Sequence, residues 1–161
     1  MLPAEVLEEA QRELLDFAGT GMSVTEISHR DKAYSAVVEE AERNLRDLLN
    51  IPEDYCVIFV QGGASQQFAA VPLNLMHKGK ADYLVTGNFA KKAWQEGKIY
   101  GAARVAASSE DKVYTYIPDL DKVEFDDDAD YVHFTSNNTI FGTRFSKFPE
   151  TKAPLACDMS S

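Results

Sequence analysis

Cysteine and histidine are scarce in this chain, which has two cysteines and three scattered histidines among 161 residues. A zinc site needs several such ligands close together, so none is predicted. Cys56 and Cys157 each lie within an apolar, strand-like run, CVIFV and PLAC. We expect both to be small buried hydrophobic residues in a reducing compartment.

Long apolar runs and basic clusters are also missing. No apolar run approaches the ~18 residues that a membrane span requires. The start, MLPAEVLEEAQRELLDF, is acidic and amphipathic, unlike a secretory signal, so a cytoplasmic location is expected. The formal net charge is −10, and lysines and arginines never cluster beyond a pair. Neither a nucleic-acid nor a membrane partner is expected, and the acidity favours solubility.

The pattern that is present alternates helices with strands. Helical periodicity predicts helices over 3–18, 32–50, 65–76 and NFAKKAWQEGKIYG, with Pro72 expected to kink or shorten the third. Apolar runs of strand length predict strands at 56–60, 81–86, 103–107, 113–117, 131–135 and 154–158. This alternation predicts an α/β fold with a mostly parallel, helix-covered sheet.

Two acidic or terminal features have structural interpretations. The run Asp126-Asp127-Asp128 is expected to be a solvated turn and not a cation site. The chain stops at DMSS, three residues after the last predicted strand. Because domains rarely end next to a buried strand, we expect a truncated protein or a fragment.

A glycine turn between a strand and a helix is the most informative local motif. Gly62 and Gly63 permit a tight turn, and the helix that opens near Ala64 and Ser65 presents free N–H groups of the kind that bind phosphate. The motif is neither a P-loop nor a dinucleotide fingerprint. By itself, the turn is also compatible with a purely structural role.

Several further residues have two interpretations each. Trp94, the only tryptophan, could stack on a flat ligand or belong to the core. Thr139 follows the strand YVHFT, where α/β sheets bind ligands. Asp158 follows the last strand and could cap a helix or pair with a cationic ligand atom. Arg30, next to His29, could bind an anion or be solvated.

Five segments, taken in order, resemble the phosphoserine aminotransferase family. They are the N-terminal segment with GMSVTEISHRDKAY, then VIFVQGGASQQFAAVPLNL, DYLVTGNFAKKAWQEGKIYG, SNNTIFGT and CDMSS. The resemblance extends over essentially the whole chain from residue 2. It implies that residues 1–161 are part of the large, pyridoxal-phosphate-binding domain of a fold-type-I transaminase. The small C-terminal domain of such enzymes would be absent.

The resemblance also implies roles for individual residues. Backbone N–H groups of Ala64 and Ser65 would bind the phosphate of pyridoxal 5'-phosphate. Trp94 would stack on the cofactor ring, Thr139 would bind its hydroxyl group, and Asp158 would pair with the ring nitrogen. His29 and Arg30 would bind the substrate phosphate across a homodimer interface.

The family's Schiff-base lysine is expected beyond Ser161, so no residue of this chain is assigned as catalytic. The parent enzyme would exchange an amino group between O-phosphoserine and 2-oxoglutarate in serine biosynthesis, and this chain alone would be inactive. Two alternatives stay open. One is another fold-type-I enzyme, such as an alanine–glyoxylate aminotransferase or a cysteine desulfurase. The other is a non-catalytic phosphate- or nucleotide-binding α/β module.

Overall fold

The computed structural model describes residues 2–161, in two units that are each compact by their own contacts. The N-terminal unit ends at Phe59, and the C-terminal unit is Val60–Ser161. The assignment of residues 1–161 to one partial domain stays a prediction. Within the described range, no helix is long and apolar enough to cross a membrane.

The N-terminal unit contains two amphipathic helices, α1 (Ala4–Glu13) and α2 (Lys32–Leu49). The first ends earlier than the predicted 3–18, because the chain turns before residue 20. The Thr20 N–H donates to the Phe17 carbonyl at 3.1 Å, and Gly19 adopts a φ of +75°. Neither helix contains a buried residue.

Helix α2 confirms its predicted range and has a side-chain cap at its start. The Asp31 carboxylate accepts from the Ala33 N–H at 2.8 Å. At the other end, Asn50 adopts the left-handed conformation, with a φ of 50°. Arg46 fixes the chain that follows by donating to the carbonyls of Pro52 and Tyr55 at 3.2 and 3.0 Å.

The predicted strand at residues 56–60 is wrong, since this segment has no regular secondary structure. Four of its five side chains are exposed, including Ile58 at 74%, and Cys56 is exposed where burial was expected. A strand exists only when a neighbour completes its hydrogen bonds, and no described strand pairs with this segment. Cys157, in the last strand, is half-buried.

The C-terminal unit alternates helices and strands. Its elements are α3 (Ala64–Leu75), β1 (Lys80–Val85), α4 (Asn88–Tyr100), β2 (Ala102–Ser108), β3 (Tyr131–Thr135), β4 (Asn137–Asn138), β5 (Thr143–Arg144) and β6 (Leu155–Asp158), with 3₁₀ turns at Glu110–Lys112 and Leu120–Lys122. Four of the strands form a parallel sheet with the order β2–β1–β3–β6, which confirms the α/β prediction. The short strands β4 and β5 pair antiparallel.

Helices α3 and α4 pack on the sheet face that holds two buried tyrosines. The hydroxyl oxygens of Tyr83 and Tyr131 are 2.5 Å apart, and burial raises the pKa of both phenols. His133 stacks on Tyr83 with ring centroids 5.1 Å apart. Helix α4 approaches this layer through Gly97, where a Cβ atom would lie 2.3 Å from the Tyr83 hydroxyl.

On the opposite face, a buried carboxylate organises the loop before β3. Asp82 is 1% exposed and accepts two hydrogen bonds from the Arg104 guanidinium, at 2.7 and 2.6 Å. It also accepts from the Asp126 backbone N–H at 2.7 Å. This bidentate geometry compensates a charge that would be costly to bury unpaired.

The predicted strand at 113–117 is also wrong. Val113 and Tyr114 both adopt the left-handed conformation, with φ values of 52° and 59°. The Tyr114 N–H donates to the Ser109 carbonyl at 2.8 Å, and its ring packs against Phe141 with centroids 5.9 Å apart. Tyr114 therefore reaches the core from a tight turn, where a strand was expected, whereas Val113 is exposed.

The acidic run forms a turn at residues 127–128, as predicted, but it is tied to lysines. Asp128 pairs with Lys78 and Lys80 at 2.8 and 2.9 Å, and Asp127 pairs with Lys152. Hydrogen bonds from the two lysines lower the Asp128 pKa to about 2. These ion pairs connect the turn to the start of β1 and to the segment before β6.

Helix α3 runs through Pro72 and is not shortened, whereas the alternative expectation of a kink there stays a prediction. The proline lies in the last turn and cannot donate to the carbonyl four residues before it. Its own carbonyl still accepts from the Met76 N–H at 3.0 Å. Pro72 and Phe68 are both buried, and Phe68 belongs to the core cluster.

Candidate ligand-binding site

The carboxyl ends of the parallel strands meet at one edge of the sheet, and polar side chains collect there. Thr135 ends β3 and pairs in register with Asp158, which ends β6. Thr86 follows β1, and Asn138 donates to its carbonyl at 3.1 Å. In open α/β sheets, this edge is where ligands bind.

The start of α3 lies at the same edge and presents backbone donors. Gly62 has a φ of +85°, and Gly63 caps the helix without a side-chain hydrogen bond. Because the first N–H groups of a helix have no helical acceptor, those of Ala64 and Ser65 are free to bind an anion. The sequence motif therefore has the geometry that a phosphate requires.

A cavity of about 470 Å³ brings four of the predicted residues together. Ala64, Ser65, Thr139 and Asp158 all line it, together with Phe89 from the start of α4. Its volume lies within the range typical of small-molecule sites. The structure thus places the helix start, a hydroxyl group and a carboxylate around one space.

Asp158 and Thr139 are held by the serines that follow β6. The Asp158 Oδ1 atom accepts from the backbone N–H and the hydroxyl of Ser160, at 3.1 and 2.7 Å. The Thr139 hydroxyl lies 2.7 Å from that of Ser161. The Asp158 Oδ2 atom has no hydrogen-bond partner among residues 2–161 and can pair with a cationic atom in the cavity.

Thr135 provides a test of whether the cavity suits a polar ligand. Its hydroxyl is buried and has no hydrogen-bond partner in the part of the chain that the structure describes. A buried hydroxyl usually has a hydrogen-bond partner, and a ligand in the cavity that Thr135 lines would provide one. Backbone donors, an ionisable carboxylate and two hydroxyls fit a phosphorylated, cationic, hydroxylated ring such as pyridoxal phosphate.

The structure places Trp94 away from the cavity, and its stacking on a ligand stays a prediction. Its indole N–H donates to the Ala103 carbonyl of β2 at 2.9 Å, and the ring packs against the core. Lys98 lies over it, 4.0 Å from the ring centroid. Trp94 does not line the cavity, whereas Phe89 does and is 39% exposed. The aromatic residue available to a ligand is therefore Phe89.

A second cavity of about 530 Å³ adjoins the first and shares Asp158 with it. His133 lines this cavity, is 4% exposed, and has a buried Nδ1 atom without a partner. Burial lowers the His133 pKa to about 4. Sequence reasoning missed Phe89, Thr135 and His133, although each lies at or near the carboxyl end of a predicted strand.

His29 and Arg30 lie in the N-terminal unit, in an exposed turn before α2. The Arg30 backbone N–H donates to the Ser28 hydroxyl at 3.3 Å. His29, but not Arg30, lines an open groove of about 630 Å³. Their predicted contact with a substrate phosphate stays a prediction. Among residues 2–161, no cluster of three or more His, Cys, Asp or Glu side chains could hold a metal ion.

Comparison with curated proteins finds close relatives over the whole chain. The phosphoserine aminotransferase of Halalkalibacterium halodurans is 54% identical over 162 residues, which cover 99% of this chain and 45% of that protein. The phosphoserine aminotransferase of Geobacillus kaustophilus is 53% identical with the same coverage. The chain therefore spans about 45% of the length of these curated relatives.

Solved structures agree with this result. The phosphoserine aminotransferase from Bacillus circulans subsp. alkalophilus superposes with a TM-score of 0.96 at 48% identity, covering 100% of this chain and 45% of that one. The pyridoxal-phosphate-bound phosphoserine aminotransferase from Trichomonas vaginalis gives a TM-score of 0.91 at 38% identity, with 99% and 45% coverage. The family model described as aminotransferase class-V matches residues 1–161, and the chain belongs to that family.

Proposed function

We propose that this chain is the N-terminal part of a pyridoxal-phosphate-dependent phosphoserine aminotransferase. The reaction exchanges an amino group between O-phosphoserine and 2-oxoglutarate, giving 3-phosphohydroxypyruvate and glutamate. The observation that carries the proposal is the cavity where the start of α3, Thr139 and Asp158 meet. The names of the relatives, at about half identity over the whole chain, support it.

The residues that line the cavity have separate roles in binding the cofactor. The N–H groups of Ala64 and Ser65 bind the cofactor phosphate, where the helix dipole favours negative charge. The Phe89 ring stacks on the heteroaromatic ring, in place of Trp94. Thr139 binds the ring hydroxyl. Asp158 holds a proton on the ring nitrogen, because its carboxylate stabilises the cationic form.

When bound, pyridoxal phosphate supplies an electron sink for the amino-acid substrate. The residues of this chain orient the ring and keep its nitrogen protonated. His29 and Arg30 bind the substrate phosphate in a homodimer, and the enzyme acts in the cytoplasm. Arginine suits this task because its planar fork matches phosphate oxygens. The lysine that links the cofactor is expected after Ser161, and inactivity of residues 1–161 alone stays a prediction.

The test uses the full-length protein, in which residues 1–161 are followed by the segment that its relatives have. Transamination with 2-oxoglutarate is measured for O-phosphoserine, serine and alanine as donors. A strong preference for O-phosphoserine is the expected result. Preference for an unphosphorylated donor would move the protein to another branch, such as the alanine–glyoxylate enzymes. Cofactor binding without any transamination would favour the alternative of a non-catalytic phosphate-binding module.

The variant Arg30→Gln tests the substrate role separately. We expect the KM for O-phosphoserine to rise at least tenfold, since one charge-assisted hydrogen bond is worth about 1.5–3 kcal/mol. The kinetic constants for 2-oxoglutarate should change less, because that substrate has no phosphate. The matched control is Arg12→Gln, which removes an arginine from the exposed last turn of α1. Equal effects of both substitutions would contradict the role of Arg30.

A further inference from the structure

His133 lies beside Asp158 on the ligand-binding face of the sheet. It pairs in register with Ala156 on the neighbouring strand β6, and Asp158 follows two residues later. Since side chains alternate along a strand, Ala156 and Asp158 point to the same face. His133 and Asp158 both line the second cavity, which holds about 530 Å³.

The His133 imidazole is rigidly placed but has no protein partner. Its ring stacks on Tyr83 with an interplanar angle of 25°. The Nδ1 atom is fully buried and makes no hydrogen bond with any described residue. A buried N–H without an acceptor is costly, so the proton is better placed on Nε2. The imidazole then has one donor to offer.

His133 carries no charge at neutral pH, because burial holds its pKa near 4. The titratable groups around it are Tyr83 on β1, Tyr131 on its own strand and Asp158 on β6. Helix α3, which forms the far wall of the cavity, has no charged residue in its sequence, ASQQFAAVPLNL. The neutral ring can therefore donate a hydrogen bond to a carboxylate, while the negative charge of that carboxylate stays available for a cationic ligand atom.

One carboxylate oxygen of Asp158 is available to accept such a hydrogen bond. Both of its side-chain bonds, with the N–H and hydroxyl of Ser160, are accepted by Oδ1. Oδ2 has no partner within residues 2–161. A carboxylate oxygen has two lone pairs, so one atom can accept from an imidazole and from a ring nitrogen together.

We propose that His133 is a positioning residue for Asp158, donating a hydrogen bond from Nε2 to the carboxylate, directly or through one water in the second cavity. This bond fixes the carboxylate rotamer, so that its remaining lone pair points at the ring nitrogen of the ligand. The proposal rests on the proposed function, because it needs a cationic ring atom opposite Asp158. Both residues of the proposed hydrogen bond, His133 and Asp158, belong to this chain.

The experiment measures equilibrium binding of two ligands to the full-length protein. Pyridoxal phosphate has the ring nitrogen, and its 1-deaza analogue has carbon at that position. His133→Phe removes the donor and keeps a ring to stack on Tyr83. We expect it to weaken pyridoxal phosphate binding about tenfold, as for one hydrogen bond to a charged group, and to leave binding of the analogue unchanged.

Two further variants separate positioning from simple packing. His133→Gln places an amide donor near Nε2 and should restore most of the affinity, whereas His133→Asn places one near Nδ1 and should not. Equal weakening of both ligands by His133→Phe, or no weakening, would overturn the proposal. If the wild-type protein binds neither ligand, the proposed function itself fails, which is a different result.

Discussion

At the residue scale, the two aromatic residues of α4 have separate environments. Phe89 is the second residue of the helix and lines the cavity, whereas Trp94 contacts β2 through its indole N–H. Five residues along a helix amount to about 7.5 Å and more than one turn. A single helix thus offers one aromatic side chain to the ligand and another to the core.

Phe89→Leu should therefore weaken binding of pyridoxal phosphate by the full-length protein about two- to tenfold, since stacking contributes about 0.5–1.5 kcal/mol. Trp94→Phe should leave that affinity unchanged. It should instead lower the unfolding free energy by about 1 kcal/mol, because the Ala103 carbonyl loses its donor. Absorbance titration and urea unfolding measure the two quantities. The reverse pattern would restore Trp94 as the stacking residue.

His133 also predicts how stability depends on pH. Its pKa is about 4 in the folded state and 6.5 when exposed, so the unfolded chain binds more protons between these values. Stability from this residue is full above about pH 6.5 and is lost progressively down to about pH 4. The total amounts to about 3 kcal/mol.

Urea unfolding of the full-length protein at several pH values checks this dependence. The difference in unfolding free energy between wild type and His133→Gln should shift by about 3 kcal/mol in favour of the variant as pH falls from 7 to 4. Comparing the two proteins cancels the carboxylates, which titrate in both. A difference that is constant with pH would show that His133 does not titrate as described.

At the element scale, α4 is positioned by its closest approach to the sheet. Gly97 faces Tyr83, whose hydroxyl is fixed by the bond to Tyr131 and cannot easily move away. Gly97→Ala should lower the unfolding free energy by about 1–3 kcal/mol through overpacking, although alanine favours helix. The exposed Gln95→Ala on the same helix is the control and should be nearly neutral. A stabilising Gly97→Ala would contradict the close contact.

The sequence predicted elements well where local pattern and tertiary context agree. The range YVHFT coincides with β3, because every residue of that strand is buried. The run at 56–60 is also rich in strand-forming residues, but no strand of residues 2–161 pairs with it, and pairing is a non-local property. At 113–117, the left-handed turn of Val113 and Tyr114 overrides the strand preference of both residues.

In the candidate site, too, the sequence indicated features that depend on local motif and not those that depend on tertiary packing. The glycine turn before α3 indicated Ala64 and Ser65 from sequence, since backbone donors depend on position and not on side-chain direction. The direction of Trp94 from its helix depends on packing, which the sequence motif does not show. Position after a strand end would have indicated Phe89, which follows β1 by four residues.

At the scale of the whole molecule, exposed apolar surface predicts how residues 1–161 behave alone. Ile58, Phe59 and Val60 are 74%, 59% and 61% exposed and adjacent in sequence. We expect the isolated chain to self-associate at micromolar concentration, and Ile58→Lys with Phe59→Lys to reduce association. Sedimentation velocity measures both. A monodisperse monomer of the unsubstituted chain would contradict this prediction.

The core position of the single tryptophan gives the chain one tryptophan fluorophore with a known environment. Trp94 sits between α4 and β2, under the Lys98 ammonium group, and away from the cavity wall. Its emission therefore reports the docking of that helix, so loss of the signal on denaturation marks separation of α4 from the sheet. A bound chromophore would quench this emission through space, by resonance energy transfer. The extent of quenching would therefore measure the distance between Trp94 and the ligand.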